Sequence, residues 1–381
     1  MLLLSRAAFG RPFFMADDDR RRLTGLARHP HLVIDRAHPT RDTPPMTDPA
    51  TTPPQPAPTA AASKPAAPRP RRTRRWLIIL ATLFIVGLIA AELVGRLVFR
   101  LGDPPLYMAD PEIEYRMVPS SQYERFNAIS KYNQWSMRSG DFPEKKTDTK
   151  EFRMLVMGDS VVNGGPQTDQ SLLATELLRP VLASQRSTPV VVANISCGSW
   201  GPPNLLAYVK KFGTFDADCA AIVLNHEDAA DVPTFAPLGR DLPTRKPILA
   251  LEEAVFRYIP LWLSDQTGAA APTRSAEQLE KDTQTSLAAL RELIDLLRSR
   301  NVKVVVVLHA AQSELEGQPK PGTLAIRSLL RDMTVPVVND LNAMREAQRD
   351  GREPYRDDIH LLAGGQAVLA EMLHQAISEA R

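Results

Sequence analysis

Cysteine is scarce in this chain: Cys197 and Cys219 are the only two in 381 residues. Both fall in runs that read as buried strand or strand end, where a thiol serves as a small core hydrophobe. Outside a reducing compartment they could pair, and spacing alone leaves that open. Clusters of Cys and His at metal-ligand spacing are lacking too, so no metal and no cofactor is called for. A strong charge of one sign is also missing, since the formal net charge is only +2. Residues 1–75 carry 14 Lys/Arg against 6 Asp/Glu, which leaves the remainder at about −6. A mildly acidic globular part gives nucleic acid no basic footprint to bind.

Long apolar runs are rare, with one exception. Residues 76–91 are apolar without interruption, and Leu93, Val94, Leu97, Val98 and Phe99 continue the stretch past Glu92 and Arg96. Those two charges are four apart, so on a helix they can pair near one end. Roughly 20 residues cross a bilayer, and the segment is apolar on every face, unlike a buried helix of a soluble domain. Arg69, Arg71, Arg72, Arg74 and Arg75 precede it, which by the positive-inside bias places the N-terminus in the cytoplasm and the chain after about residue 100 outside. The expectation is an uncleaved single-pass anchor in the inner membrane, with a cleaved signal peptide as the alternative.

Four regions follow from these shifts: a disordered basic, Pro/Ala-rich cytoplasmic tail (1–75), a transmembrane anchor (76–99), an irregular lead-in (100–150) and a globular domain (151–381). Within the tail, Met46 opens a Pro/Ala/Thr-rich run to Pro70 that reads as a solvated linker. Translation starting at Met1 or at Met46 is left open.

From Glu151 the pattern alternates between strands and helices. Continuous Val/Ile/Leu/Met/Ala runs at 152–157, 190–194, 220–224, 302–308 and 335–338 read as parallel strands buried on both faces. Helices are expected at 172–184, 204–212, 276–300, 324–332 and 365–379. The fold class expected is α/β: a three-layer αβα sandwich on a five-stranded parallel sheet, preceded by one transmembrane helix. Residues 233–273 interrupt the alternation with a Pro-rich loop and a short apolar helix over 256–263.

The chemistry begins where the first strand stops at Gly158-Asp159-Ser160. A serine at the carboxyl end of a central strand lies where α/β proteins bind ligands. Its hydroxyl needs a general base within hydrogen-bond reach. Among seven histidines, His360 follows a turn-like acidic segment and precedes the last helix. Asp357, three residues earlier, can turn back on the imidazole, fix its tautomer and stabilise its charged form. Gly198 and Ser199, in the turn after the second strand, can aim backbone N–H groups at an oxyanion. The run Asn225-His226-Glu227-Asp228 ends the third strand at the same sheet edge.

Taken together these blocks resemble the SGNH (GDSL-type) esterase and lipase superfamily, over about Glu151 to the C-terminus. The resemblance implies Ser160 as nucleophile, with Asp357 and His360 completing a triad. It implies a flavodoxin-like αβα fold and an oxyanion hole at Gly198 or Ser199, although the family's glycine falls nearer Ser199. The family's third block is Gly-x-Asn-Asp, so Glu227 stands where a donating Asn is expected. An ionised carboxylate only accepts hydrogen bonds. The expected donor is therefore His226 or Asn225 on a shifted loop, unless Glu227 is protonated. Met137-Arg138 is similar to the lead-in of membrane-anchored bacterial members.

The function expected is an extracytoplasmic serine esterase acting on acyl esters of a glycan or lipid, O-acetyl groups above all. An O-acyltransferase with the same triad and a catalytically silent binding module are the alternatives. Trp200 and the aromatics at 258–262 read either as packing or as sugar-stacking faces.

Overall fold

The computed structural model describes residues 71–260 and 274–379. The chain divides into two units that part at Val86/Gly87. In the smaller unit the described residues, 71–86, are the first part of helix α1 (Arg71–Leu97), whose apolar side chains are exposed all round. By length and composition α1 can cross a membrane.

The larger unit holds everything else described. Its centre is a parallel sheet of β5 (Phe152–Gly158), β6 (Val190–Ser196), β7 (Cys219–Leu224), β8 (Lys303–Leu308) and β9 (Val337–Asn339), in the order β6-β5-β7-β8-β9. That is the doubly wound order 2-1-3-4-5, whose chain direction reverses beside the first strand and opens a crevice there. Side chains alternate across the sheet. Leu155, Met157, Ala220, Ile222, Val304 and Val306 face one layer of helices, α4 (Pro202–Phe212) and α6 (Ala276–Ser299). Met154, Val156, Ala221, Val223, Val305 and Val307 face the other, α3 (Ala174–Arg186) and α9 (Ala363–Glu379). Helices α2 (Ser160–Asn163), α5 (Ala250–Glu253), α7 (Pro321–Asp332) and α8 (Leu341–Arg349) complete the set. Burial on both faces explains the unbroken apolar strands. Each large side chain taken from water adds roughly 1.5–3 kcal/mol, and Leu293→Ala at the fully buried centre of α6 would cost about 2–5 kcal/mol.

Helix α6 starts where the Ser275 hydroxyl caps the Gln278 N–H at 3.1 Å. It runs long because Leu290, Leu293, Ile294 and Leu297 recur on its core face. Helix α4 starts on Pro202 and Pro203, and the Asn204 side chain accepts from Gly201 N–H at 3.1 Å.

The five expected strands and five expected helices are present, with ends shifted by a few residues. Three features differ from expectation. The lead-in is not irregular throughout: it contains two antiparallel hairpins, β1 (Tyr107–Asp110) with β2 (Glu114–Met117), and β3 (Ser121–Arg125) with β4 (Ala128–Tyr132). Their alternation shows in the burial of β4, with Ala128, Ser130 and Tyr132 inward. Helix α8 between β9 and the final loop was not anticipated. The short helix in the insertion begins earlier, as α5 continued by a π-helical turn Ala254–Tyr258; residues 261–263 of the expected helix lie outside the described residues.

Candidate active site

Ser160 is held by the way β5 ends. Gly158 has no room for a side chain, since a Cβ there would meet the Val223 carbonyl at 3.0 Å and Val162 at 2.6 Å. The chain then turns through Asp159, whose carboxylate accepts from Val161 N–H at 2.8 Å and so caps α2. Ser160 is the first residue of that helix, at the carboxyl edge of the sheet. The helix lasts one turn and closes on Gly164, whose φ of 75° suits glycine.

The loop before α9 brings the partners. Ser160 Oγ lies 2.9 Å from His360 Nε2. On the far side of the ring, His360 Nδ1 is 2.8 and 2.9 Å from the two oxygens of Asp357. Asp357 also accepts the backbone N–H groups of Ile359 and His360, at 3.1 and 2.8 Å. Burial works to raise its pKa; the His360 hydrogen bonds and the Arg356 charge outweigh that and hold it below the usual value. An anionic Asp357 keeps the proton of the neutral imidazole on Nδ1, leaving Nε2 to accept from the serine hydroxyl.

Every residue of this loop is anchored separately. The Asp358 carboxylate accepts from Ser313 N–H at 2.8 Å and from Lys320 Nζ at 2.9 Å. The Ile359 carbonyl accepts from His309 Nε2 at 2.9 Å. His309 ends β8, and its Nδ1 lies 2.6 Å from Asp340, both side chains fully buried. Burial opposes a charge on His309, but the Asp340 carboxylate and the Ile359 carbonyl prevail and raise its pKa. Both ring nitrogens face acceptors, which favours the protonated ring and clamps it between strand and loop. Nothing local in the sequence assigns His309 work, since its partners are 31 and 50 residues away.

Arg138, noted in sequence only as part of the Met137-Arg138 pair, has a role the sequence does not show. Its side chain is fully buried, with no carboxylate salt-bridge partner among the described residues. The guanidinium donates instead to the carbonyls of Asn163, Gly165 and Thr168, which form the loop following α2. It also reaches Ser130 Oγ on β4 at 3.0 Å. A planar five-donor group suits such a ring of carbonyls. In sequence a lone Arg in a polar segment carries no sign of this.

The other site residues expected from sequence lie on the same sheet edge, with engagements of their own. The carbonyl of Gly198 accepts from the Tyr115 hydroxyl at 2.8 Å, and that of Ser199 at 3.3 Å. The hairpin β1–β2 thereby orients the turn, in which Ser199 takes φ 55°. Asn225 donates from its amide to Asp159 at 2.9 Å and accepts from Glu227 N–H at 2.8 Å. It ties the end of β7 to the residue before Ser160. His226 is neutral, its pKa pushed down to about 4 by burial first and Lys320 next. Its Nε2 is 3.4 Å from Lys320 Nζ, while its buried Nδ1 meets no hydrogen-bond partner among the described residues. Since an ammonium only donates, Nε2 accepts and Nδ1 carries a proton with no acceptor among the described residues.

Glu227 stands among carboxylates. Burial, then Asp159 and Asp231, push its pKa up to about 8. Asp231 rises to about 7 for the same reasons, burial before Asp159. A carboxyl group that is neutral at pH 7 has an O–H to donate, so the acidic residue no longer repels a nearby oxyanion.

Trp200 is buried, donates to the Tyr115 carbonyl at 3.0 Å and packs on Tyr208, which makes it a core residue. Tyr258 accepts from Arg125 at 2.8 Å, and Trp262 lies outside the described residues. Cys197 and Cys219 are free buried thiols. Among the described residues no group of three or more His, Cys, Asp and Glu side chains could hold a metal ion.

No family model matches the sequence, and no curated protein matches it. Solved structures do. The acetyl xylan esterase AlAXEase is 14% identical over 59% of this chain and 100% of its own, with a TM-score of 0.38. A two-domain esterase (CEX) active on acetylated mannans is 11% identical over 60% of this chain and 49% of its own, at 0.40. A member of the lipolytic G-D-S-L family from Veillonella parvula DSM 2008 is 11% identical over 60% and 98%, at 0.36.

Proposed function

We propose that the chain is a serine esterase of the SGNH (GDSL-type) superfamily, acting on acyl esters through an acyl-Ser160 intermediate. The single observation that carries this reading is the continuous relay Ser160–His360–Asp357, with hydrogen-bond distances of 2.9 and 2.8 Å. Ser160 Oγ attacks the ester carbonyl carbon while its proton passes to His360 Nε2. The tetrahedral oxyanion draws on the backbone N–H groups of Ser160 and Gly198 and on donors at the end of β7. The free Nδ1–H of His226 and the O–H of neutral Glu227 are the side-chain candidates. Collapse expels the alcohol, which takes the proton back from His360. Water then attacks the acyl-serine with His360 as base, releasing the acid and restoring the hydroxyl.

Helix α1 is the membrane anchor in this reading, and the positive-inside bias of the arginines before it supports a catalytic unit outside the cytoplasm. The substrate class proposed is an O-acyl, above all O-acetyl, ester on an envelope glycan or lipid. Acetate release from an O-acetylated polysaccharide by the purified full chain tests it. Release by wild type and none by Ser160→Ala supports the reading; equal release by both overturns it. Adding an acceptor glycan divides hydrolysis from acyl transfer, because transfer lowers free acetate while acetylating the acceptor.

A further inference from the structure

The geometry points to a second membrane contact besides α1: the insertion segment 248–259 lies on the outer lipid surface. This rests on α1 being membrane-embedded, and on nothing about the chemistry of Ser160.

The segment is built inside out. Its inward side is charged. Glu253, buried, accepts from Gly102 N–H at 2.8 Å and pairs with Arg125 at 2.8 Å and Arg257 at 3.5 Å. Its outward side is apolar: Ile248 is 78% exposed, Phe256 57%, and Leu249, Val255 and Ile259 nearly half exposed. A surface helix of a water-soluble domain presents the reverse pattern. Five large exposed apolar side chains within twelve residues of sequence mark a contact surface rather than scattered exposure.

What covers that face follows from where the segment is tied. Glu92 of α1 accepts from Ala250 N–H and Leu251 N–H, both at 2.9 Å, and pairs with Arg96 at 2.6 Å. Arg96 in turn donates to the Ile248 carbonyl at 2.6 Å. Gly95 lets the two backbones close, since a Cβ there would lie 3.1 Å from that of Ala250. Counting roughly 20 residues of hydrocarbon from Trp76 ends the span near Gly95. The insertion therefore grips α1 at the level where it leaves the lipid, and its apolar side chains sit at that depth. Arg240, Arg245 and Lys246 flank it; Arg245 and Lys246 are well exposed, and Lys246 pairs with Asp103 at 2.7 Å just beyond α1. Apolar side chains with a basic rim are the composition of an interfacial segment.

The test uses the full chain in phospholipid nanodiscs, labelled with an environment-sensitive fluorophore at Phe256→Cys, Ile248→Cys, Leu83→Cys or Leu324→Cys. The native thiols are buried. Leu83 lies in α1 and Leu324 on α7. Brominated lipid is expected to quench the labels at 248, 256 and 83, and to leave the label at 324 unquenched. Quenching at 83 with none at 248 and 256 overturns the contact while leaving the anchor intact. No quenching at any of the three overturns both. Disulfide cross-linking of Phe256→Cys between two chains, in place of lipid quenching, assigns the face to a second copy and also overturns it.

Discussion

His309 donates its Nε2–H to the carbonyl of Ile359 at 2.9 Å, so the end of β8 holds the peptide that leads into His360. In the proposed triad the bond matters because the histidine has to meet both its serine and its aspartate at once. Asp357 fixes the ring from within the loop, and His309 fixes the loop to the sheet.

His309→Ala should therefore damage both folding and turnover. It strands the buried Asp340 carboxylate, and breaking a buried pair in this way costs about 3–5 kcal/mol. Denaturant unfolding reads that loss. The double variant His309→Leu/Asp340→Leu is expected to regain stability without regaining kcat, because the tether to Ile359 stays missing. Recovery of full kcat in the double variant would show that the tether is not needed.

Asp357→Asn should leave the fold intact and lower kcat by roughly 10⁴-fold, the effect of losing the orienting carboxylate in a triad. Steady-state hydrolysis of an acetyl ester measures it. Arg356 lies 3.5 Å from Asp357 and contributes only charge, so Arg356→Gln is expected to change kcat far less.

Glu227 sets a pH dependence whose sign is fixed. Its carboxyl ionises at about 8 in the folded chain, against an ordinary value of 4.5. Between those values the folded state keeps a proton that the unfolded state has lost, so stability falls as pH rises through the window and the loss is complete above about pH 8. If the neutral carboxyl also donates to the oxyanion, kcat/KM falls along an alkaline limb near the same pH. Glu227→Gln, a permanent N–H donor, should keep activity and abolish that limb. An unchanged alkaline limb in this variant would assign the donor elsewhere, with His226→Ala as the next variant to assay.

Arg138→Ala should strand the buried carbonyls of Asn163 and Thr168 behind Ser160, at about 1–3 kcal/mol each. Thermal melting reads the loss. Arg138→Lys is expected to recover only part of it, since a point ammonium cannot reach carbonyls spread around a planar fork.

These cases also mark what the sequence could and could not convey. The meeting of Ser160 with Asp357 and His360 was legible because the signals are local: a strand that stops at a small polar turn, and a carboxylate three residues from an imidazole. The five strands were legible because burial on both faces leaves unbroken apolar runs. The contacts of His309, Asp340 and Arg138 were not, because their partners come from distant segments. The hairpins of the lead-in were obscured by short strands with polar residues on alternate positions. Glu227 could be singled out as out of pattern, but its raised pKa depends on burial and then on Asp159 and Asp231, which only the fold brings about.

The central claim is that Ser160 is an activated nucleophile. Covalent labelling of the full chain with a fluorophosphonate, followed by peptide mass spectrometry, tests it most directly. The account predicts one adduct on Ser160 in wild type, none in Ser160→Ala, and slow labelling in His360→Ala. A wild-type chain that stays unlabelled where an authentic serine esterase reacts, or an adduct that persists in Ser160→Ala, would contradict it.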